Sequence, residues 1–304
     1  MRRIFGTAAV VTAAIFALSA CGGGGNPLTS ASAAPSGSSA AAGGKVVVGS
    51  ANFPENVLLG SIYAQALKAK GVDVEEKPNI GSREVLIGQI KSGGLTVLPE
   101  YNGALLAYLD PKTTAASTDQ VNTELKSKLP PELDILDSSA AQDNDSLTVT
   151  KDTAAKYSLK TIEDLAKVSK DMAVGGPPEF KKRREQQFKD VYGLAFKEWK
   201  PTGDTTADAI KNGTIQAGNV FTTDPKILIN NMVSLEDPKS VFSAQNITPL
   251  VNKAGVNDTV TSTLNAISAK LTTDQLVEMM KKLSIDKEDA ATVAKEWLTS
   301  NGLG

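Results

Sequence analysis

The chain has 304 residues, 32 Lys+Arg against 34 Asp+Glu, one Cys and no His. A formal charge of -2 gives a nucleic-acid partner no electrostatic support, and the length suits about two domains. Without His, and with one Cys, the chain cannot build His-Cys zinc sites, Ser-His-Asp triads, His-ligated haem or an internal disulfide, so its residues ask for no metal and no cofactor.

The N-terminus opens with Arg2 and Arg3, followed by an apolar run over residues 8–18 and then Leu18-Ser19-Ala20-Cys21-Gly22. A charged start, a short apolar stretch and small residues at the cut describe an export signal over residues 1–20. The run is shorter than the roughly 20 residues of a membrane span. Leu-Ser-Ala-Cys-Gly resembles a bacterial lipobox, which implies lipidation of Cys21. The Arg pair is also compatible with twin-arginine export. Loss of Arg2 and Arg3 leaves 30 basic against 34 acidic side chains, a net charge of -4. Residues 22–44 are small and polar apart from Leu28, too poor in apolar surface to offset the entropy of ordering. As a coil they would reach roughly 25 Å, a tether between a membrane anchor and a folded body.

From Lys45 the chain alternates β-rich runs with amphipathic helices. Residues 45–49 form a predicted strand, a helix starts at Pro54 and stops at Gly71, and residues 72–77 form a second strand. A helix over 82–92 and a strand over 95–98 complete a βαβαβ unit, the mark of a mostly parallel sheet. The same order returns as a strand over 171–175, a helix over 178–192, a strand over 194–199, a helix over 205–212 and a strand over 215–220. Laid over one another, Ile90-Lys91-Ser92-Gly93-Gly94-Leu95 faces Ile210-Lys211-Asn212-Gly213-Thr214-Ile215, and Tyr101 falls against Phe221. Polar segments at Ala141-Gln142-Asp143-Asn144 and Ala244-Gln245-Asn246 enclose the second unit and read as crossovers. A strand starts at Pro249; Thr273 is placed to cap one terminal helix and Asp286 to cap the last. The expected lobes are residues 45–143 with 246–304, and residues 144–245.

Several blocks then carry a family resemblance, in order: Gly49-Ser50-Ala51-Asn52-Phe53-Pro54-Glu55, Asn79-Ile80-Gly81-Ser82-Arg83-Glu84-Val85 and Pro99-Glu100-Tyr101-Asn102-Gly103 in the first unit. Glu179-Phe180 with Arg183, Tyr192-Gly193-Leu194, and Phe221-Thr222-Thr223-Asp224 follow in the second. Together they resemble the osmoprotectant (glycine betaine/choline/carnitine) substrate-binding lipoproteins of ABC transporters. The resemblance implies an α/β, two-lobed type II periplasmic-binding-protein fold, each lobe a mostly parallel sheet flanked by helices, closing on a ligand in the cleft. It implies an extracytoplasmic monomer, held to a bacterial membrane through Cys21, that delivers a small osmolyte to a permease and its ATPase without catalysis.

A quaternary ammonium has no N–H to donate, so its recognition rests on aromatic faces, about 0.5–2 kcal/mol per ring. Tyr101 leads the candidates because it follows a strand end, where ligands of α/β sheets sit. Phe221 holds the matching place in the second unit, and Phe53 and Phe180 lie at strand-to-helix loops. Asn52, Ser82, Arg83, Asn102, Thr222 and Thr223 are candidate polar contacts; Glu100 and Asp224 either offset a cation or brace the hinge. Trp199 and Trp297 are expected in the core, and Lys181-Lys182-Arg183-Arg184 on a solvated helix face. The chain departs from the family pattern at Arg184-Glu185-Gln186-Gln187, where an Asp-Gly turn is missing. It departs again at Phe242-Ser243-Ala244-Gln245, which lacks a second aromatic, and at Glu84, where some relatives place a tyrosine. Fewer rings leave open a polyol or aromatic solute in the same fold. An exported hydrolase with Glu100 and Asp224 as acid and base is the remaining alternative.

Overall fold

The structure, a computed structural model, describes residues 44–178 and 180–304. The export segment, Cys21, the tether to residue 43, and Glu179 lie outside the described residues.

The first sheet begins with β1 (Val46–Ala51), α1 (Pro54–Ala69), β2 (Val74–Gly81), α2 (Arg83–Lys91) and β3 (Val97–Tyr101). Then come α3 (Asn102–Leu109), α4 (Thr118–Lys128) and β4 (Leu133–Ile135). The second sheet is built from β5 (Asp145–Thr150), α5 (Lys151–Tyr157), α6 (Ile162–Ala166), β6 (Ala173–Gly176), α7 (Phe180–Tyr192) and β7 (Glu198–Pro201). It continues through α8 (Thr206–Lys211), β8 (Ala217–Phe221), α9 (Lys226–Ile229) and β9 (Met232–Ser234). The chain then returns to the first sheet as β10 (Ile247–Asn252) and ends in α10 (Asp258–Ser268), α11 (Thr273–Ser284) and α12 (Ala290–Ser300).

Strand order is β2-β1-β3-β10-β4 in one sheet and β7-β6-β8-β5-β9 in the other. In each, three strands run parallel and the strand entering from a crossover pairs antiparallel with the third: Ile247 lies opposite Tyr101, and Asp145 opposite Phe221. The two crossovers run side by side, bridged at Gln142 and Asn246, with the Asp143 N–H donating to the Gln245 carbonyl and the Ile247 N–H to that of Ala141. Two adjacent connections of this kind join the two sheets.

Helices cover both faces of both sheets. β3 is buried along its whole length, as a central strand between two helical layers must be. One face of the first sheet packs through Val46, Val48 and Val97 onto α1, which also meets Val260, Leu276 and Trp297 of the terminal helices. Sandwiched this way, α1 is apolar nearly all round, with Leu58, Leu59, Ile62 and Leu67 wholly buried. Each such side chain contributes about 1.5–3 kcal/mol by leaving water. The opposite face packs Leu98 and Leu250 on Leu86, Ile90, Leu106 and Leu125. In the second lobe Phe180, Phe188, Trp199 and Phe242 form an aromatic core on the α7 side, and Ile210 and Ile215 fill the α8 side.

Several local expectations shift. The third strand of each unit starts two residues later than the alternation alone indicates and ends later, by three residues in the first unit and one in the second, since Leu95 and Ile215 are buried plugs ahead of the ladder. Residues 102–109 form a helix entered directly from β3, seated on the crossover by Asn102, which accepts from the Asn246 N–H, and by Gly103. The cap of α11 is Thr272, in a capping box with Gln275; Thr273 accepts from the Gln142 N–H of the crossover instead. Asp289, not Asp286, caps α12, while Asp286 pairs with Lys281. The basic run is only partly solvated: the Arg184 guanidinium lies 4.9 Å over the Phe242 ring, reaches Asp145 at 3.6 Å and donates to the Val241 carbonyl.

Candidate functional site

The ends of β1, β2 and β3 converge on a cavity of about 180 Å³, lined among others by Asn52, Phe53, Ser82, Arg83, Glu100 and Tyr101. Its frame follows from the local sequence. Asn56, in the first turn of α1, accepts from the Ala51 N–H at 2.7 Å and donates to the Pro99 carbonyl at 2.9 Å, clamping the ends of β1 and β3 together. The Phe53 and Tyr101 rings then stand 6.0 Å apart, tilted by 31°. Phe53 is 40% exposed, so an aromatic face remains open to a solute.

Beside the rings, Arg83 holds Glu100 side-on, Nε donating to Oε1 at 2.9 Å and to Oε2 at 3.2 Å and Nη2 to Oε2 at 2.9 Å. The Tyr101 N–H adds a bond to Glu100 Oε2 at 3.1 Å. Glu100 is buried and its charge is matched within the protein, so it is not a free counter-charge for a cation.

The Tyr101 hydroxyl donates to Glu55 Oε1 at 2.7 Å. Glu55, the second residue of α1, is 4% exposed. Burial raises its pKa to about 7, Asp143 adds to the rise, and the Tyr101 and Thr223 hydroxyls act against it. The Asp143 carboxyl is raised as well, by burial first. Thr223, just past β8 in the second lobe, donates to Asp143 Oδ1 at 2.8 Å. Tyr101, Glu55, Thr223 and Asp143 thus join the end of β3 to the end of β8 beside the paired crossovers.

The residues singled out from the sequence fall into three groups. Phe53, Tyr101, Asn52, Ser82, Arg83 and Glu100 meet at the cavity of the first lobe. Phe221, at the end of β8, is 57% exposed, and Thr223 reaches the Glu55 cluster. The rest are structural. Phe180 is 1% exposed, packed 5.9 Å from Phe188 and 5.8 Å from Trp199, because the buried stripe of α7 begins with it. Asn102 is wholly buried, donating to Asn122 and accepting from the Gly103 and Asn246 N–H groups. Thr222 donates to the Gln142 carbonyl and accepts from the Asn144 N–H, pinning the crossover. Asp224 accepts from the Lys226 N–H and starts α9. With Glu100 bound by Arg83 and Asp224 in its own turn, the acid–base pair of a hydrolase is not assembled from them. The carboxylates brought together are Glu55 and Asp143, which sequence reasoning missed. An acid in the first turn of a helix is ordinary capping chemistry and gives no signal of its own.

Residues 44–300 match the family described as the substrate binding domain of the ABC-type glycine betaine transport system. Glycine betaine-binding protein YehZ of Escherichia coli (strain K12) is 27% identical over 277 residues, covering 84% of this chain and 90% of that protein. A glycine-betaine-binding protein of Pseudomonas aeruginosa is 24% identical over 275 residues, covering 84% and 88%. Among solved structures, apo YehZ from Escherichia coli superposes with a TM-score of 0.78 at 25% identity, covering 86% of this chain and 99% of that one. The crystal structure of a glycine betaine/carnitine/choline ABC transporter gives 0.79 at 20% identity, covering 85% and 99%, a likeness of fold.

Proposed function

We propose the following on one premise: the chain belongs to the family of substrate-binding domains of ABC-type glycine betaine transport systems, with the two-lobed type II periplasmic-binding-protein fold. Proteins of this family bind a small molecule outside the cytoplasm and work with a permease and an ATPase. The solute captured here is a quaternary-ammonium osmolyte of the glycine betaine, choline or carnitine type, held without catalysis. The observation that carries this reading is the pair of rings, Phe53 and Tyr101, at the strand ends of one lobe, with Phe221 exposed at the corresponding strand end of the other. Rings are what a cation lacking N–H donors requires. Asn52 and Ser82, on the cavity rim, supply donors for the polar end of the solute.

The closing lobes are residues 45–143 with 246–304, and residues 144–245, turning about the paired crossovers. The protein acts as a monomer tethered through lipidated Cys21, so that Cys21→Ala shifts it from the membrane to the soluble fraction. A thermal-shift screen tests the ligand class. A bound solute at one hundred times its Kd stabilises by about 2.7 kcal/mol, so glycine betaine, choline or carnitine should raise the melting temperature while sugars and small aromatics leave it in place. A rise with polyols or aromatics alone would reject the quaternary-ammonium reading.

A further inference from the structure

We propose that Glu55 is a positioning residue that acts through Tyr101, and that it releases a proton when a cationic head settles on the Phe53 and Tyr101 rings. Capture is then proton-linked. This deepens the reading of the cleft given above and rests on it.

The geometry carries the argument. Glu55 accepts from the Tyr101 hydroxyl at 2.7 Å, while the ring stands 6.0 Å from Phe53 at the cavity. The Thr223 hydroxyl donates to Asp143 at 2.8 Å and also acts on Glu55 in favour of its charged form. A protonated Glu55 removes the repulsion between the two carboxylates. A deprotonated Glu55 is held by the Tyr101 donor at 2.7 Å but faces a second carboxylate.

The charged neighbours favour the protonated form when the cleft is empty. Asp143 on the first crossover faces Glu55, and Asp145 and Asp224 act in turn on Asp143. On the Tyr101 side the charge of Arg83 is matched by Glu100, and beyond Asp143 the Arg184 guanidinium stands 3.6 Å from Asp145. A quaternary ammonium on the rings supplies the missing positive charge in a poorly hydrated place. The N-terminus of α1 also favours the carboxylate, once a cation offsets Asp143. A phenol donating to a carboxylate has a more negative ring face than one donating to a neutral acid, so the charged form of Glu55 also improves the ring as a partner. Linkage makes the effects reciprocal: the cation favours ionised Glu55, and ionised Glu55 favours the cation.

Calorimetric titration of the whole protein with choline chloride, and separately with glycine betaine, tests this. Wild type should bind about tenfold more tightly at about pH 8 than at about pH 5.5. Near neutral pH, the apparent binding heats in phosphate and in MOPS should differ by the release of about half a proton. Glu55→Gln should bind with the acid-limb affinity at every pH and release no proton. Equal wild-type affinity across the range with no buffer dependence overturns the proposal and leaves the ligand reading standing. A pH slope that survives Glu55→Gln and disappears in Asp143→Asn overturns the assignment to Glu55. Absence of binding by either compound at every pH overturns the ligand reading, and the proton linkage with it.

Discussion

The Arg83 guanidinium and the Glu100 carboxylate meet edge to edge, with two N–H···O bonds of 2.9 Å that fix both side chains at the mouth of the cavity. Removing one partner leaves the other in a site shaped for an ion pair. Arg83→Ala strands a buried carboxylate and should cost about 2–3 kcal/mol, less than for a fully buried pair because Arg83 is part-exposed. Adding Glu100→Gln should recover about 1 kcal/mol of that loss. Urea unfolding of the two single variants and the double variant measures the coupling; additive losses would show that the pair is only an exposed contact.

Tyr101→Ala should weaken binding of glycine betaine or choline about tenfold, since one ring of a cation cage is worth about 1–2 kcal/mol. Calorimetry on a folded variant gives the number. Unchanged affinity removes Tyr101 from the list of contacts.

Gly103 sits where α3 presses on the second crossover. A Cβ there would lie 2.2 Å from the Ala244 carbonyl oxygen, so Gly103→Ala must push the crossover away. A loss of about 1–3 kcal/mol is expected. Gly88, in the exposed middle of α2, has nothing near its missing Cβ, and Gly88→Ala should gain about 0.4–1 kcal/mol. Opposite signs in the two unfolding midpoints check the contact.

Stability of the free protein should fall between about pH 4.5 and pH 7. Glu55, raised to about 7 by burial and then by Asp143, keeps a proton in the native state that the unfolded chain has already released. Its contribution is complete below about 4.5 and is lost as pH rises through about 7, amounting to no more than about 3 kcal/mol. Glu55→Gln should flatten this part of the profile. A wild-type curve without the fall would place the carboxyl in a wetter site than the structure gives it.

Much of the scaffold was legible because its signals are periodic. Val46 and Val48 alternate, and Leu58, Ile62 and Leu59, Tyr63 repeat at helical spacing, so the elements and their doubling follow from side chains alone. Strand ends were less legible: Leu95 and Ile215 are β-rich in type yet serve as plugs below the sheet, and only the pairing of Val97 and Ala217 with neighbouring strands reveals where the ladders start. Site residues were mixed. Tyr101 and Phe53 stand where strand ends place them, whereas Phe180 follows the buried stripe it shares with Phe188 and Tyr192. Glu55 and Asp143 are 88 positions apart in sequence, and nothing local foretells that a crossover will bring two carboxyls together.

The return of β10 to the first sheet has a consequence for biosynthesis. Every strand of the second sheet lies between Asp145 and Ser234, so that sheet can be completed before residues 247–252 become available. The first sheet, though started earlier, lacks the strand that separates β3 from β4 until residues 247–252 emerge, and α1 lacks its cover until Trp297 does. The half that is translated first is therefore the half that matures last, and its apolar helix is the surface a chaperone would have to shelter in the interval.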